Sequence, residues 1–214
     1  MPPAASSPPI SSLGARSTRE MVLATASRLF LAHGYEQCSM DQIALESGVA
    51  RRTVYNQFGG KKALFDATMA QMWDRMPLDA IIAAASAVQS PEEVLYSIGR
   101  TIASFWAPPE AVAFVRLVIW ESARFPELGE SFFDRGREPA RTAVREYVRR
   151  LSGERGFHIE DPDLATAQFV DVILGEVLLS RLVASPTDIL DEERCDYVVR
   201  EAVTLFLTRY RPQL

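Results

Sequence analysis

The stretch Ser39-Met-Asp-Gln-Ile43-Ala-Leu-Glu-Ser-Gly48-Val-Ala-Arg51-Arg-Thr-Val-Tyr55-Asn-Gln-Phe58 decides how the rest of the chain is read. Ser39 followed three residues later by Gln42 fits a capping box, so a helix is expected to start there, with Ile43 and Ala44 facing inward. Gly48 stands where a tight turn needs a positive φ, and a second helix of about eight residues follows it. Two short helices joined across a Gly turn describe a helix-turn-helix. At about 100° per residue, Val49, Ala50, Thr53 and Val54 share a small, apolar arc that should pack inward. Arg51, Arg52, Tyr55 and Asn56 occupy the opposite arc. That face offers two guanidinium forks, an amide and a phenol, groups that read base edges and hold phosphates, and it carries no acid.

Lys61 and Lys62, the only lysines in the chain, follow behind Gly59-Gly60 at the start of the next expected helix. A cation there opposes the helix dipole. Placed beside free backbone N–H groups, it suits a bound phosphate. Charge is distributed in the same sense: residues 1–62 carry a net +3, residues 63–214 a net −8, and the whole chain −5. A basic head on an acidic body implies that the head meets a polyanion.

Residues 1–15, rich in Pro, Ser and Ala, read as a disordered arm. From Ser17 to Tyr210 the apolar spacing is helical and nowhere alternates like a strand. Helices are expected over about 18–33, 40–46, 50–57, 61–76, 78–89, 92–106 and 110–124. A long one over about 127–151 should kink at Pro139. Two last helices are expected over about 163–184 and 191–210, separated by Ala-Ser-Pro-Thr-Asp. The fold class is therefore all-α, about nine helices, with an N-terminal helix-turn-helix domain over 16–62 and a larger helical domain over 63–214.

Chemistry is sparse. Cys38 and Cys195 lie far apart and outside any Cys-x-x-Cys pattern, so reduced thiols are expected. His33 and His158 are isolated, and no Gly-rich phosphate loop occurs, which leaves no metal site, no cofactor and no catalytic constellation. No run approaches the ~18 apolar residues of a membrane span, and the N-terminus lacks the marks of a secretory signal, so a cytoplasmic protein without membrane contact is expected.

The chain is similar to the TetR (tetracycline-repressor-like) family of transcriptional regulators. That family's pattern, roughly Thr-x-x-x-Ile-Ala-x-x-Ala-Gly-Val-Ser-x-x-x-Leu-Tyr-x-x-Phe-x-x-Lys-x-x-Leu, is met by Ser39, Ile43-Ala44, Gly48-Val49, Val54-Tyr55, Phe58, Lys61 and Leu64. Ser39, Ser47, Ala50 and Val54 depart from it conservatively, although Ala50 lacks the hydroxyl that often caps the second helix. Across 114–175, Phe-Val-Arg-Leu-Val-Ile-Trp-Glu-Ser-Ala-Arg-Phe-Pro-Glu-Leu and the later Asp-Pro-Asp-Leu-Ala resemble the C-terminal domain of the AefR-like branch.

The resemblance implies a homodimeric repressor that binds a pseudo-palindromic operator in double-stranded DNA and is released by a small hydrophobic or amphipathic effector. It implies that Arg51, Arg52, Thr53, Tyr55 and Asn56 lie in or beside the major groove. Ser39, Tyr55 and Lys61 would hold phosphates, and Arg16 or Arg19 would reach the backbone. It puts the dimer interface on the last two helices, through Val170, Leu174, Leu178, Leu182, Val199, Leu205 and Phe206. It puts the effector among Trp73, Phe105, Trp106, Phe114, Leu117, Trp120, Glu121, Phe133 and Phe169. Two alternatives stay open: a DNA-binding regulator or activator without an effector, and an all-α carrier or enzyme whose basic head is incidental.

Overall fold

Ser17 opens the first helix with a closed capping box: its hydroxyl accepts the Glu20 N–H at 3.2 Å, and the Glu20 carboxylate accepts the Ser17 N–H at 2.7 Å. In this computed structural model residues 17–154, 156–183 and 190–211 are described. The arm over 1–15, Arg16 and the link over 184–188 lie outside them.

Helix α1 spans Thr18–Gln37 and is interrupted at Gly34, whose φ of 83° ends the regular helix where the sequence places a left-handed residue. Helices α2 (Met40–Ser47) and α3 (Arg51–Phe58) follow, joined through Gly48 at φ 68°. Helix α4 (Lys61–Trp73) stops one turn short of its expected end. The body then adds α5 (Leu78–Ser86), α6 (Pro91–Trp106) and α7 (Pro109–Ser122). Every described regular element is helical, as the apolar spacing requires.

The long helix expected over 127–151 is not one α-helix. It comprises α8 (Pro126–Phe132), a π-helical turn at Phe133–Arg137, and α9 (Glu138–Ser152). Pro139 has no N–H to give and its ring crowds the preceding turn, so the widened turn just ahead takes up the misfit. The next helix has the same form: α10 (Pro162–Leu174), a π turn at Gly175–Leu179, then α11 (Ser180–Val183). Helix α12 (Glu192–Tyr210) lies along α6 and closes the body against α10.

Two apolar cores result, and the head's core does not stop at residue 62. Val22, Phe30, Ile43, Val54 and Phe58 are joined by Leu64, Phe65 and Met69 of α4, by Phe114, Leu117 and Val118 of α7, and by Leu128 of α8. Phe65 sits 5.2 Å from Phe30 and 5.6 Å from Phe114, ring centre to ring centre, so aromatic contact runs from head to body. The body's core is built from α5, α6, α9, α10 and α12, and Met72 and Trp73 at the end of α4 touch both.

Trp73 is gripped closely. Its ring stacks on Phe105 at 5.1 Å, and a Cβ at Gly136 would stand 1.8 Å from its Nε1. Only glycine fits the π turn there. Gly136→Ala should therefore cost about 1–3 kcal/mol through overpacking, read as a lower urea midpoint with an unchanged m value.

Candidate nucleic-acid interface and ligand cavities

Helix α3 presents the expected face. Val54 is fully buried, while Arg51, Arg52, Tyr55 and Asn56 are exposed. Thr53 and Val49 are half-buried. Ala50 is exposed rather than inward, because it serves as the N-cap residue with non-helical backbone and no side-chain bond. Ser39 caps α2 by accepting the Gln42 N–H at 3.1 Å, which leaves its own O–H to donate outward. The reciprocal half of the capping box is not made: Gln42 Nε2 turns instead to Glu46 Oε1 at 3.1 Å. Glu46 also takes Arg28 of α1 at 2.7 Å, and that bond, then the Gln42 bond, hold its carboxyl below the usual range.

The face is not free of acid. Asp41 of α2 pairs with Arg51 Nε at 2.7 Å, a partner invisible while α3 is read alone. Both side chains are more than half exposed, so the pair contributes about 0–1 kcal/mol and yields readily to a guanine edge or a phosphate. Arg51 also lies over the Tyr55 ring at 5.4 Å. Arg19 covers the Phe58 ring at 4.8 Å, at the edge of the same face.

Lys61 is placed differently from the expectation. Its Nζ donates to the carbonyls of Tyr35 and Glu36 at 2.9 and 3.0 Å and lies 4.5 Å over the Tyr35 ring. Two of its three donors thus cap the end of α1, which leaves one. Lys62 also turns inward, to both Asp66 oxygens at 2.6 and 2.7 Å and to Ser131 of α8 at 2.6 Å.

Glu121, expected among the effector contacts, has a structural task instead. It is buried on α7, and its Oε1 accepts the N–H groups of Tyr35 at 2.7 Å and Glu36 at 3.3 Å. A Cβ at Gly34 would meet that oxygen at 2.7 Å. Arg124 pairs with the Glu36 carboxylate beside it. Burial, followed by the charges of Glu127, Asp66 and Glu121, pushes the Tyr35 phenol above its usual range. The sequence signal was a lone acid after the apolar run Leu117–Trp120; the partner turn, 86 residues earlier, left none.

The expected effector residues do not meet in one cavity. Trp73 and Trp106 line a mostly apolar cavity of about 140 Å³ with Phe132, Val170 and Leu174, and Arg137 and Arg141 also border it. Phe105 and Phe114 line a separate cleft of about 510 Å³. Leu117, Trp120 and Glu121 border a wide outer groove, and Trp120 is 83% exposed. Phe133 is half exposed, and Phe169 is buried against Phe206 as core. Aromatics at helical spacing do not distinguish a wall from a cavity, which accounts for the mixture.

The expected dimer residues divide likewise. Val170, Val199 and Phe206 are buried inside the body, and Leu174, Leu178 and Leu182 pack partly against its core. Of these only Leu205 is exposed, and the other exposed large apolar side chains of these helices are Leu164, Val172, Leu179, Val183 and Tyr197. A helix covered on both sides is apolar on both, so its sequence does not say which side the body takes. Cys38 and Cys195 are free and buried, and burial pushes both thiols up, away from the reactive thiolate. Among the described residues no cluster of His, Cys, Asp or Glu could hold a metal.

Comparison with known proteins agrees with this geometry. Residues 22–68 match the family described as bacterial regulatory proteins, tetR family, and residues 93–212 match the AefR-like transcriptional repressor, C-terminal domain. The HTH-type transcriptional regulator TtgW of Pseudomonas putida is 30% identical over 96 residues, which cover 39% of this chain and 72% of that protein. A TetR-family regulator from Mesorhizobium loti superposes with a TM-score of 0.79 over 91% of this chain and 96% of its own, at 20% identity, a likeness of fold. The flavonoid-responsive regulator FrrA superposes with a TM-score of 0.69 over 92% and 98%, at 28% identity.

Arg51→Ala and Asn56→Ala should each lower specific DNA affinity by roughly 1–3 kcal/mol and relax sequence preference, measured on specific and random duplexes. Lys61→Ala should lower unfolding stability; loss of a phosphate contact would instead lower the salt slope by about one.

Proposed function

The chain belongs to the TetR family of bacterial regulatory proteins, and on that footing we propose a homodimeric repressor that grips a pseudo-palindromic operator and leaves it when a small apolar or amphipathic ligand enters the body. The observation that carries the reading is the α3 face, where Arg51, Arg52, Tyr55 and Asn56 stand exposed on a helix anchored by Val54 and Phe58. Ser39 adds an outward hydroxyl at the start of α2. A reader with so few contacts gains affinity and register when two copies engage two half-sites.

The pairing surface we assign is the exposed set Leu164, Val172, Leu179 and Val183 with Tyr197 and Leu205. Large apolar side chains left exposed on the last helices point to an interaction site there. For the releasing ligand we assign the apolar cavity beside Trp73. Ligand pockets run about 300–1,000 Å³, so entry must spread its walls and displace the end of α4. FrrA is named for its response to flavonoids, and an aromatic-walled cavity suits a planar molecule of that kind. We assign no catalytic step, cofactor or metal, and place the protein with the DNA in the cytoplasm. Among the described residues no single helix is long and apolar enough to cross a membrane.

Leu179 is 65% exposed, so Leu179→Glu disturbs the pairing surface without burying a charge in the body. The variant should sediment as a folded monomer and lose most of its affinity for a two-half-site duplex, while wild type sediments as a dimer. A wild-type monomer, or a variant that pairs and binds normally, would remove the dimeric reading.

A further inference from the structure

We propose that the cleft between α1, α4, α6 and α7 is a second small-molecule site, which takes a small amphipathic anion and is distinct from the apolar cavity beside Trp73. Its volume of about 510 Å³ lies within the range of ligand pockets as it stands, whereas the apolar cavity of about 140 Å³ does not. Its walls are mixed. Leu31, Met72, Phe105 and Phe114 supply apolar surface for the body of a ligand.

The polar part of the wall is rich in donors. Arg75 and Arg100 bring two guanidinium groups, Gln71 an amide and Ser27 a hydroxyl, against the single acid Glu110. Thr101 already donates its hydroxyl to the Ser97 carbonyl at 2.8 Å and offers only lone pairs. A wall with surplus donors and surplus positive charge selects an acceptor-rich, negatively charged group. Arg100 sharpens the point. Its Nη2 donates to Glu192 Oε1 at 3.0 Å, but its Nη1 is buried with no partner among the described residues. Buried donors are rarely left unpaired, and this one has no accessible surface as it stands, so it gains an acceptor only when the side chain turns toward an occupant of the cleft. Glu192 is 87% exposed, so water screens its pull on the guanidinium. No ion pair of Arg75 occurs among the described residues.

The two cavities are separated by Phe105, which lines the cleft while its ring stacks on Trp73 at 5.1 Å. Ser27 and Leu31 belong to the head's first helix and Arg100 and Thr101 to the body, so an occupant touches both units. This proposal stands on the cleft itself and does not depend on the ligand-release reading above.

Two fluorescent probes on the full-length protein test it: anilinonaphthalene sulfonate, an aromatic anion, and phenylnaphthylamine, its uncharged counterpart. Wild type should bind the sulfonate, and Arg75→Gln and Arg100→Gln should each weaken that binding by about tenfold while leaving the amine within about twofold. Ser104→Phe, at an exposed position on the cleft wall, should block the sulfonate by filling the space. Arg100→Gln also removes the Glu192 pair, so Arg75→Gln carries the result if Arg100→Gln loosens the fold. The proposal is overturned if wild type does not bind the sulfonate, if both probes weaken alike, or if Arg75→Gln and Ser104→Phe leave its affinity unchanged.

Discussion

Past the break at Gly34, the N–H groups of Tyr35 and Glu36 converge on a single atom, Oε1 of Glu121, at 2.7 and 3.3 Å. The carbonyls of the same two residues are taken by Lys61 from the opposite side. One turn thus has its donors satisfied by the body and its acceptors by the start of α4. A buried carboxylate is retained only where it is well hydrogen-bonded, and a buried N–H left alone costs about 1–3 kcal/mol, so each group needs the others. How the head sits on the body follows from this clasp.

From the clasp the rest of the arrangement can be traced. Lys61 opens α4, and the next residue, Lys62, bridges Asp66 of α4 to Ser131 of α8, which fixes the head's last helix to the body a second time. Phe65, one turn on, meets Phe30 edge to face and stacks on Phe114. At the far end Trp73 is held by Phe105, Trp106 and Phe132. Helix α4 is therefore tied to α1 at its start and borders both cavities at its end. Coupling by population shift needs a rigid element that ligands at one end and the head at the other can both bias.

Much of this is legible in the sequence and some is not, for physical reasons. The Ser39–Phe58 stretch carries helix starts, the Gly48 turn and the outward set Arg51, Arg52, Tyr55 and Asn56, because those depend on local spacing. Gly34 is legible as a helix end for the same reason. Lys61 reads in sequence as a phosphate ligand because its carbonyl partners come from α1, more than twenty residues away. Glu121 falls among the cavity aromatics because sequence does not show that a distant turn needs two acceptors. Asp41, on the neighbouring helix, is likewise hidden as the partner of Arg51. Val199 and Phe206 read as an outer seam, although their side of α12 is the inner one. Local geometry is encoded by neighbours in the chain, whereas partners across the fold are set by packing.

The measurement that goes most directly to the clasp is residue-resolved amide hydrogen exchange at Tyr35 and Glu36, in wild type and in Glu121→Gln. The amide keeps one acceptor oxygen but replaces a charge-assisted bond with a weaker neutral one. Both amides should be strongly protected in wild type and exchange markedly faster in the variant, with the core of α6 unchanged. Fast exchange of both amides in wild type, or equal protection in the two proteins, would contradict the account.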